Sequence, residues 1–76
     1  METTGERIKR LRTAAGLSQV QLAERSGVPQ GAISHYEADD YEPSLSSVRK
    51  LAPALGVEVG YLVNGGRLAS GQRAEG

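Results

Sequence analysis

The side chains able to do chemistry are few, and they suit recognition better than reaction. One histidine, His35, and no cysteine leave no nucleophile–base set and no ligand set for a structural metal. No paired-carboxylate geometry is discernible either. More informative are the polar groups at predicted helix starts on either side of Gly27. Ser18 and Gln19 stand at the amino end of one short helical segment, and Gln30 lies in the first turn of the next. Free backbone N–H groups and the positive dipole end at a helix start favour an anion such as phosphate. A glutamine amide offers one donor and one acceptor, the complement of adenine N7 and N6 in a major groove. Ser34 and His35 follow one turn later, off the apolar face of that segment. An imidazole can reach a base acceptor or a phosphate, but it makes fewer bonds than a guanidinium. Gly31 brings no side chain, so one base would be read loosely, while Ala32 could touch a thymine methyl.

Helices must position these groups, since the apolar pattern has a 3.6-residue period and no stretch alternates as a strand would. Thr3 with Glu6 fits a capping box that opens a helix over about residues 4–15. Ile8, Leu11 and Ala15 share one face of it, and Gly16 sits at its stop. Ser18 with Gln21 opens a second helix, which buries Leu22 and Ala23 and ends at Gly27. Pro29 starts a third, with Ile33 and Tyr36 inward, that stops near Ala38. Residues 39–43 read as a loop. Ser44 caps a fourth helix carrying Leu45, Val48, Leu51 and Leu55 inward, and Pro53 should kink or weaken its last turn. Residues 58–63 make a short fifth helix. The ordered domain is expected over residues 1–64, and a flexible tail over 65–76. Ala23 must be small because the third helix crosses the second there, and Gly27 supplies a positive φ for the turn. This is a helix-turn-helix, whose second helix can enter a DNA major groove.

With 76 residues the chain has room for one small domain, which buries only about 60% of the surface its unfolded form exposes. Three Tyr and no Phe or Trp leave Leu, Val, Ile and Ala to build the core. No apolar run approaches the roughly twenty residues of a membrane span, and the amino-terminal residues lack the apolar stretch of a secretory signal. A soluble cytoplasmic protein is expected, with no cofactor, no metal, no membrane contact and no evident small-molecule site. Nine Lys+Arg balance nine Asp+Glu, which argues against an unspecific nucleic-acid coat. The charge is unevenly spread: Arg7, Lys9, Arg10 and Arg12 cluster near the start, and Asp39, Asp40 and Glu42 in the middle.

The sequence resembles the phage-repressor-like helix-turn-helix family, of the Cro/repressor or xenobiotic-response-element type. The resemblance covers about residues 5–63 and rests on many landmarks at matching spacing. They are Glu6-Arg-Ile-Lys-Arg-Leu-Arg12, Gly16-Leu-Ser-Gln19, Leu22-Ala23-Glu24, Gly27-Val28, Ile33-Ser-His-Tyr-Glu37, Pro43-Ser44, Leu51-Ala52 and Ala54-Leu-Gly-Val57. It implies a lambda-repressor-like all-α fold of five helices and sequence-specific binding of double-stranded DNA. Such proteins usually act as homodimers on palindromic operators, regulating transcription. By the same resemblance Gln19 and Gln30 bond each other and share phosphate and base. Arg12 pairs with Glu37, tying the first helix to the recognition helix without touching DNA.

Arg7 and Arg10 are candidate phosphate contacts, while Lys9 is assigned to solvent, where a charge-rich helix face usually lies. His35 stands where the family often has Arg, and Gly31 where it often has a polar residue. The clearest departure is Ala38-Asp39-Asp40, where relatives commonly carry Asn or Gly followed by Lys or Arg; carboxylates there cost DNA affinity. Val57, Val59, Tyr61, Leu62 and Val63 are more apolar than the last short helix of a monomer needs, so they are expected to form a two-fold dimer interface. The competing reading is a protein-interaction module or antitoxin-like partner that keeps the fold and binds DNA weakly or not at all. The acidic loop and zero net charge favour it, and the two glutamines oppose it.

Overall fold

Three helix starts are closed by the side chains whose spacing proposed them. The structure is a computed structural model that describes residues 1–65; from residue 66 on, the expected tail lies outside the described residues. Thr3 Oγ1 accepts from the Glu6 N–H at 3.0 Å, and Glu6 Oε1 from the Thr3 N–H at 2.9 Å. This box opens α1 (Thr4–Ala14). Ser18 and Gln21 repeat it at 3.0 and 2.8 Å, opening α2 (Gln19–Ser26). Ser44 Oγ accepts from the Ser47 N–H at 3.1 Å and opens α4 (Leu45–Ala54). The remaining helices, α3 (Gln30–Glu37) and α5 (Val59–Asn64), begin without a side-chain cap. Pro29 precedes α3 rather than starting it, with φ −58° and ψ 141°. Gln30 is therefore the first helical residue. Among the described residues there is no strand, and no helix is long and apolar enough to cross a membrane.

Each helix sends one large aliphatic side chain into full burial: Ile8, Leu22, Ile33, Leu51 and Leu62. Val28, Tyr36, Val48, Ala52 and Leu55 complete the core. Burying a side chain of the Leu or Ile kind is worth about 1.5–3 kcal/mol, so these five positions dominate a small domain's stability. α3 lies against α1 and α2, α4 against α2 and α5, and α5 also against α1. Two expected core residues are on the surface instead. Ala15 is exposed because α1 ends at Ala14. Leu45 is 59% exposed, since inward contact along α4 begins only at Val48. α4 runs past Pro53 to Ala54. In that last turn the missing N–H removes a single helical bond, and the end is closed by Leu55 N–H to Leu51 O and Val57 N–H to Ala52 O, at 2.9 and 3.0 Å.

Two glycines set the angles that matter for α3. Gly27 has φ 82°, which permits the tight turn between α2 and Pro29. Gly5 is buried, and a Cβ built on it would run into the Tyr36 carbonyl. Only glycine lets α1 approach the end of α3 this closely.

Candidate nucleic-acid interface

A chain of hydrogen bonds crosses from α1 through α3 and α2 back to the start of α3. Arg12 Nε and Nη2 donate to Glu37 Oε2 and Oε1 at 2.7 and 2.9 Å. Arg12 Nη1 donates to the Leu17 carbonyl at 2.8 Å. Glu37 Oε1 also accepts from Gln19 Nε2 at 3.0 Å, and Gln19 Oε1 accepts from Gln30 Nε2 at 2.8 Å. The direction of this relay follows from charge. An ionised carboxylate only accepts, so Gln19 turns its nitrogen to Glu37 and its oxygen to Gln30. Gln30 must then present nitrogen to Gln19, and keeps its carbonyl and second N–H for a ligand. That remaining pair is the complement of adenine's major-groove edge.

The buried end of the relay holds the exposed end still. Glu37 and Arg12 side chains are 4% and 12% exposed, Gln19 is half-buried, and Gln30 is on the surface. Hydrogen bonding to Glu37 raises the Arg12 pKa above its ordinary value against the opposing effect of burial. A charge-assisted bidentate pair is among the stronger and more directional contacts available to side chains. The family resemblance implies pairing of Arg12 with Glu37 and of Gln19 with Gln30, and both pairs are made. The link between them, Gln19 to Glu37, went unread.

The other candidates divide. Ser18, Gly31, Ser34 and His35 are exposed, at the start of α2 and along α3, and a Cβ at Gly31 would meet open space. Ser18 spends its hydroxyl on the cap. Ala32 and Ala23 are half-buried against the core, which suits Ala23 and leaves Ala32 little surface to offer a methyl group. His35 is not a simple surface side chain. Its Nδ1 lies 2.7 Å from Asp40 Oδ2, and its ring stacks on Tyr41 with centroids 5.1 Å apart and planes 23° apart. Tyr41 in turn meets Tyr36 edge-on at 6.0 Å. Asp39, with φ 61°, accepts from Thr3 Oγ1 at 3.1 Å. Asp39 and Asp40 are thus both engaged within the protein. Neither Asp40 nor Tyr41 was read as a partner of His35; the sequence signal, a carboxylate and an aromatic just beyond the histidine, is visible only with the loop's path in hand.

Three assignments require correction. Arg7 is 7% exposed and donates to the Leu62 carbonyl at 2.8 Å and to Glu2, so it joins α1 to α5 and cannot meet phosphate. Arg10 is surface-exposed but not gathered with the amides: it donates to both Glu2 oxygens at 2.7 and 3.1 Å and to Tyr61 Oη at 3.0 Å. Leu62 is fully buried within the monomer and has nothing to give a dimer interface. Of its neighbours, Val57 and Val59 pack partly on the core, Tyr61 is half-buried beside Arg10, and Val63 is 42% exposed. Lys9 is exposed, as assigned.

With this geometry in view, known proteins provide three comparisons beyond the family itself. A model of the helix-turn-helix family matches residues 8–62. The immunity repressor protein of Bacillus phage phi105 is 40% identical over 73 residues, covering 96% of this chain and 51% of that protein. The chain therefore spans about half the length of that relative. The structure of the P22 c2 repressor in complex with a synthetic operator aligns over 86% of this chain and 98% of that one, with TM-score 0.79 and 32% identity. That of SinR, a master regulator for biofilm formation, in complex with DNA aligns over 79% and 97%, with TM-score 0.75 and 34% identity.

Proposed function

The chain belongs to the helix-turn-helix family, and from that premise we propose that it is a sequence-specific DNA-binding transcriptional regulator of the repressor kind. α3 enters the major groove, Gln30 reads a base, and the start of α2 meets phosphate. The observation that carries this reading is the relay ending in Gln30, whose remaining donor and acceptor are held at the surface by a buried ion pair. The complexes of the P22 c2 repressor with a synthetic operator and of SinR with DNA support a DNA-binding reading. The working domain is residues 1–64, and its place is the cytoplasm.

One recognition helix reads few base pairs, so useful specificity requires two, about 34 Å apart on one DNA face. The protein therefore acts as a two-fold dimer. Its apolar contact centres on Val63, with Leu45, 59% exposed, lining the same groove beside Pro43. Val57, Val59 and Tyr61 form the margin.

Selection from random duplexes, followed by binding at several salt concentrations, tests the proposal. A recovered palindrome, with affinity falling steeply as salt rises, is the expected result. No enriched sequence and a flat salt response would refute it. Sedimentation as a monomer at tens of micromolar, with and without the selected duplex, would refute the dimer alone.

A further inference from the structure

His35 and Asp40 pair on a surface proposed to meet DNA. A carboxylate beside a base-reading helix repels phosphate, so Asp40 calls for a role other than a phosphate contact. Asp40 Oδ2 stands 2.7 Å from His35 Nδ1, and Tyr41 stacks on the ring and fixes its plane. An ionised carboxylate has no proton to give, so Nδ1 must carry the proton in this bond. The state of the other ring nitrogen follows, since a neutral imidazole has one protonated nitrogen and one bare one. Nε2 is then an acceptor.

We infer that Asp40 is a positioning residue that selects the Nε2-acceptor form of His35, making His35 a reader of exocyclic amines, cytosine N4 or adenine N6, in the major groove. This rests on the DNA-binding reading above. The two acceptors of guanine, N7 and O6, and the phosphate oxygens face a bare lone pair on neutral His35 and are rejected. They become partners only when His35 gains a second proton and Nε2–H can donate. The choice of base at this position is therefore coupled to proton uptake. Among the described residues, the titratable groups in contact with the ring are Asp40 and Tyr41 from the loop. Glu37, on the ring's own helix, is turned inward to Arg12, and Asp39 is bonded to Thr3. Asp40 is thus the carboxylate that governs the imidazole. The departure from the family's basic loop then has a use: it exchanges a phosphate contact for control of a base contact.

The chain holds a single histidine, so a long-range proton–nitrogen NMR spectrum of the full chain shows one imidazole. At a pH above the range in which imidazoles change charge, about 5 to 8, the expected spectrum has Nδ1 protonated and Nε2 bare. Asp40→Ala should shift the ring toward the Nε2–H form. His35 and Asp40 side chains are 52% and 53% exposed, so this variant leaves the core intact. An Nε2–H form in the unaltered protein overturns the proposal.

The second arm uses the selected duplex and its single-base changes, at pH about 8.5 and again at about 5. Wild type should favour an amine-bearing base over guanine at one position by roughly tenfold at the higher pH, and lose or reverse that preference at the lower. Asp40→Ala should lose it at both. Comparing two duplexes at each pH cancels the general gain in DNA affinity that acid brings. A preference unmoved by Asp40→Ala or by pH overturns the role of Asp40. Failure to bind any duplex would instead sink the DNA reading, and base selection with it, while the nitrogen spectrum still decides the tautomer.

Discussion

Arg12 and Glu37 face each other across the α1–α3 junction with both guanidinium-to-carboxylate bonds made, at 2.7 and 2.9 Å, and a carboxylate that is 4% exposed. The pair does two jobs at once. It joins the first helix to the end of the recognition helix, and it fixes which way the Gln19 amide points. On the proposed reading, stability and base recognition therefore share one carboxylate.

Glu37→Ala should lower stability by about 3 kcal/mol, because it strands a guanidinium that burial has removed from water. Chemical denaturation of both proteins measures this. The same variant frees the Gln19 amide, so DNA discrimination should also weaken at concentrations where the protein stays folded. An unchanged denaturation midpoint would mean that the pair is solvated in practice.

Gly5→Ala should cost about 2 kcal/mol. Its methyl group would collide with the Tyr36 carbonyl, which cannot yield without moving α3, and overpacking of this kind costs about 1–3 kcal/mol. Gly31→Ala is the control, since its methyl group would enter open space on α3. There the change should stabilise by about 0.5–1 kcal/mol through lost backbone freedom. Thermal melts of the two variants should move in opposite directions.

Glu2 gives stability a pH dependence. Its carboxyl is held below its ordinary value of 4.5, chiefly by the hydrogen bond from Arg10 with charge support from Arg10 and Arg7. A lowered value in the folded state means that the unfolded chain binds the proton more readily. The stabilisation is thus present above about pH 4.5 and fades as pH falls through the folded value. Wild type should melt above Glu2→Gln at about pH 6, with the gap closing toward pH 3. A constant gap would show that the Glu2 charge plays no part.

Local signals made the helices legible: Thr3, Ser18 and Ser44 are caps whose partners lie three residues away. The relay's ends were legible too, through family resemblance. What escaped depended on which helix lies opposite. Tyr61, Leu62 and Val63 are consecutive apolar residues on a short helix, and period alone does not choose which one points inward. The packing of α5 on α1 and α4 buries Leu62. Arg7 reads as a surface charge until the Leu62 carbonyl is seen beside it. Gly5 is an unremarkable first-turn residue except for the Tyr36 backbone above it. Asp40 looked like a liability to DNA binding because its partner lies back on α3, reached only through the loop's reversal at Asp39.

The glutamine relay separates reading from bracing. Gln30→Ala removes the base-facing donor and acceptor, so it should cost about 1–3 kcal/mol on the preferred duplex and flatten discrimination at one base pair. Gln19→Ala acts through two routes. It removes the side-chain N–H that Gln19 keeps beside its bond to Glu37, whose loss as a phosphate donor weakens every duplex alike, and it releases Gln30 Nε2 from its 2.8 Å bond, which blurs that same base pair. Its loss of discrimination should therefore be smaller than that of Gln30→Ala, and its uniform loss larger. Lys9→Ala, on an exposed face of α1, should change neither beyond a small salt-dependent effect. Binding curves for the three variants on the selected duplex and its single-base changes distinguish these patterns. Equal loss on every duplex for Gln30→Ala would make that residue a backbone contact, and base reading would then pass to the rest of α3.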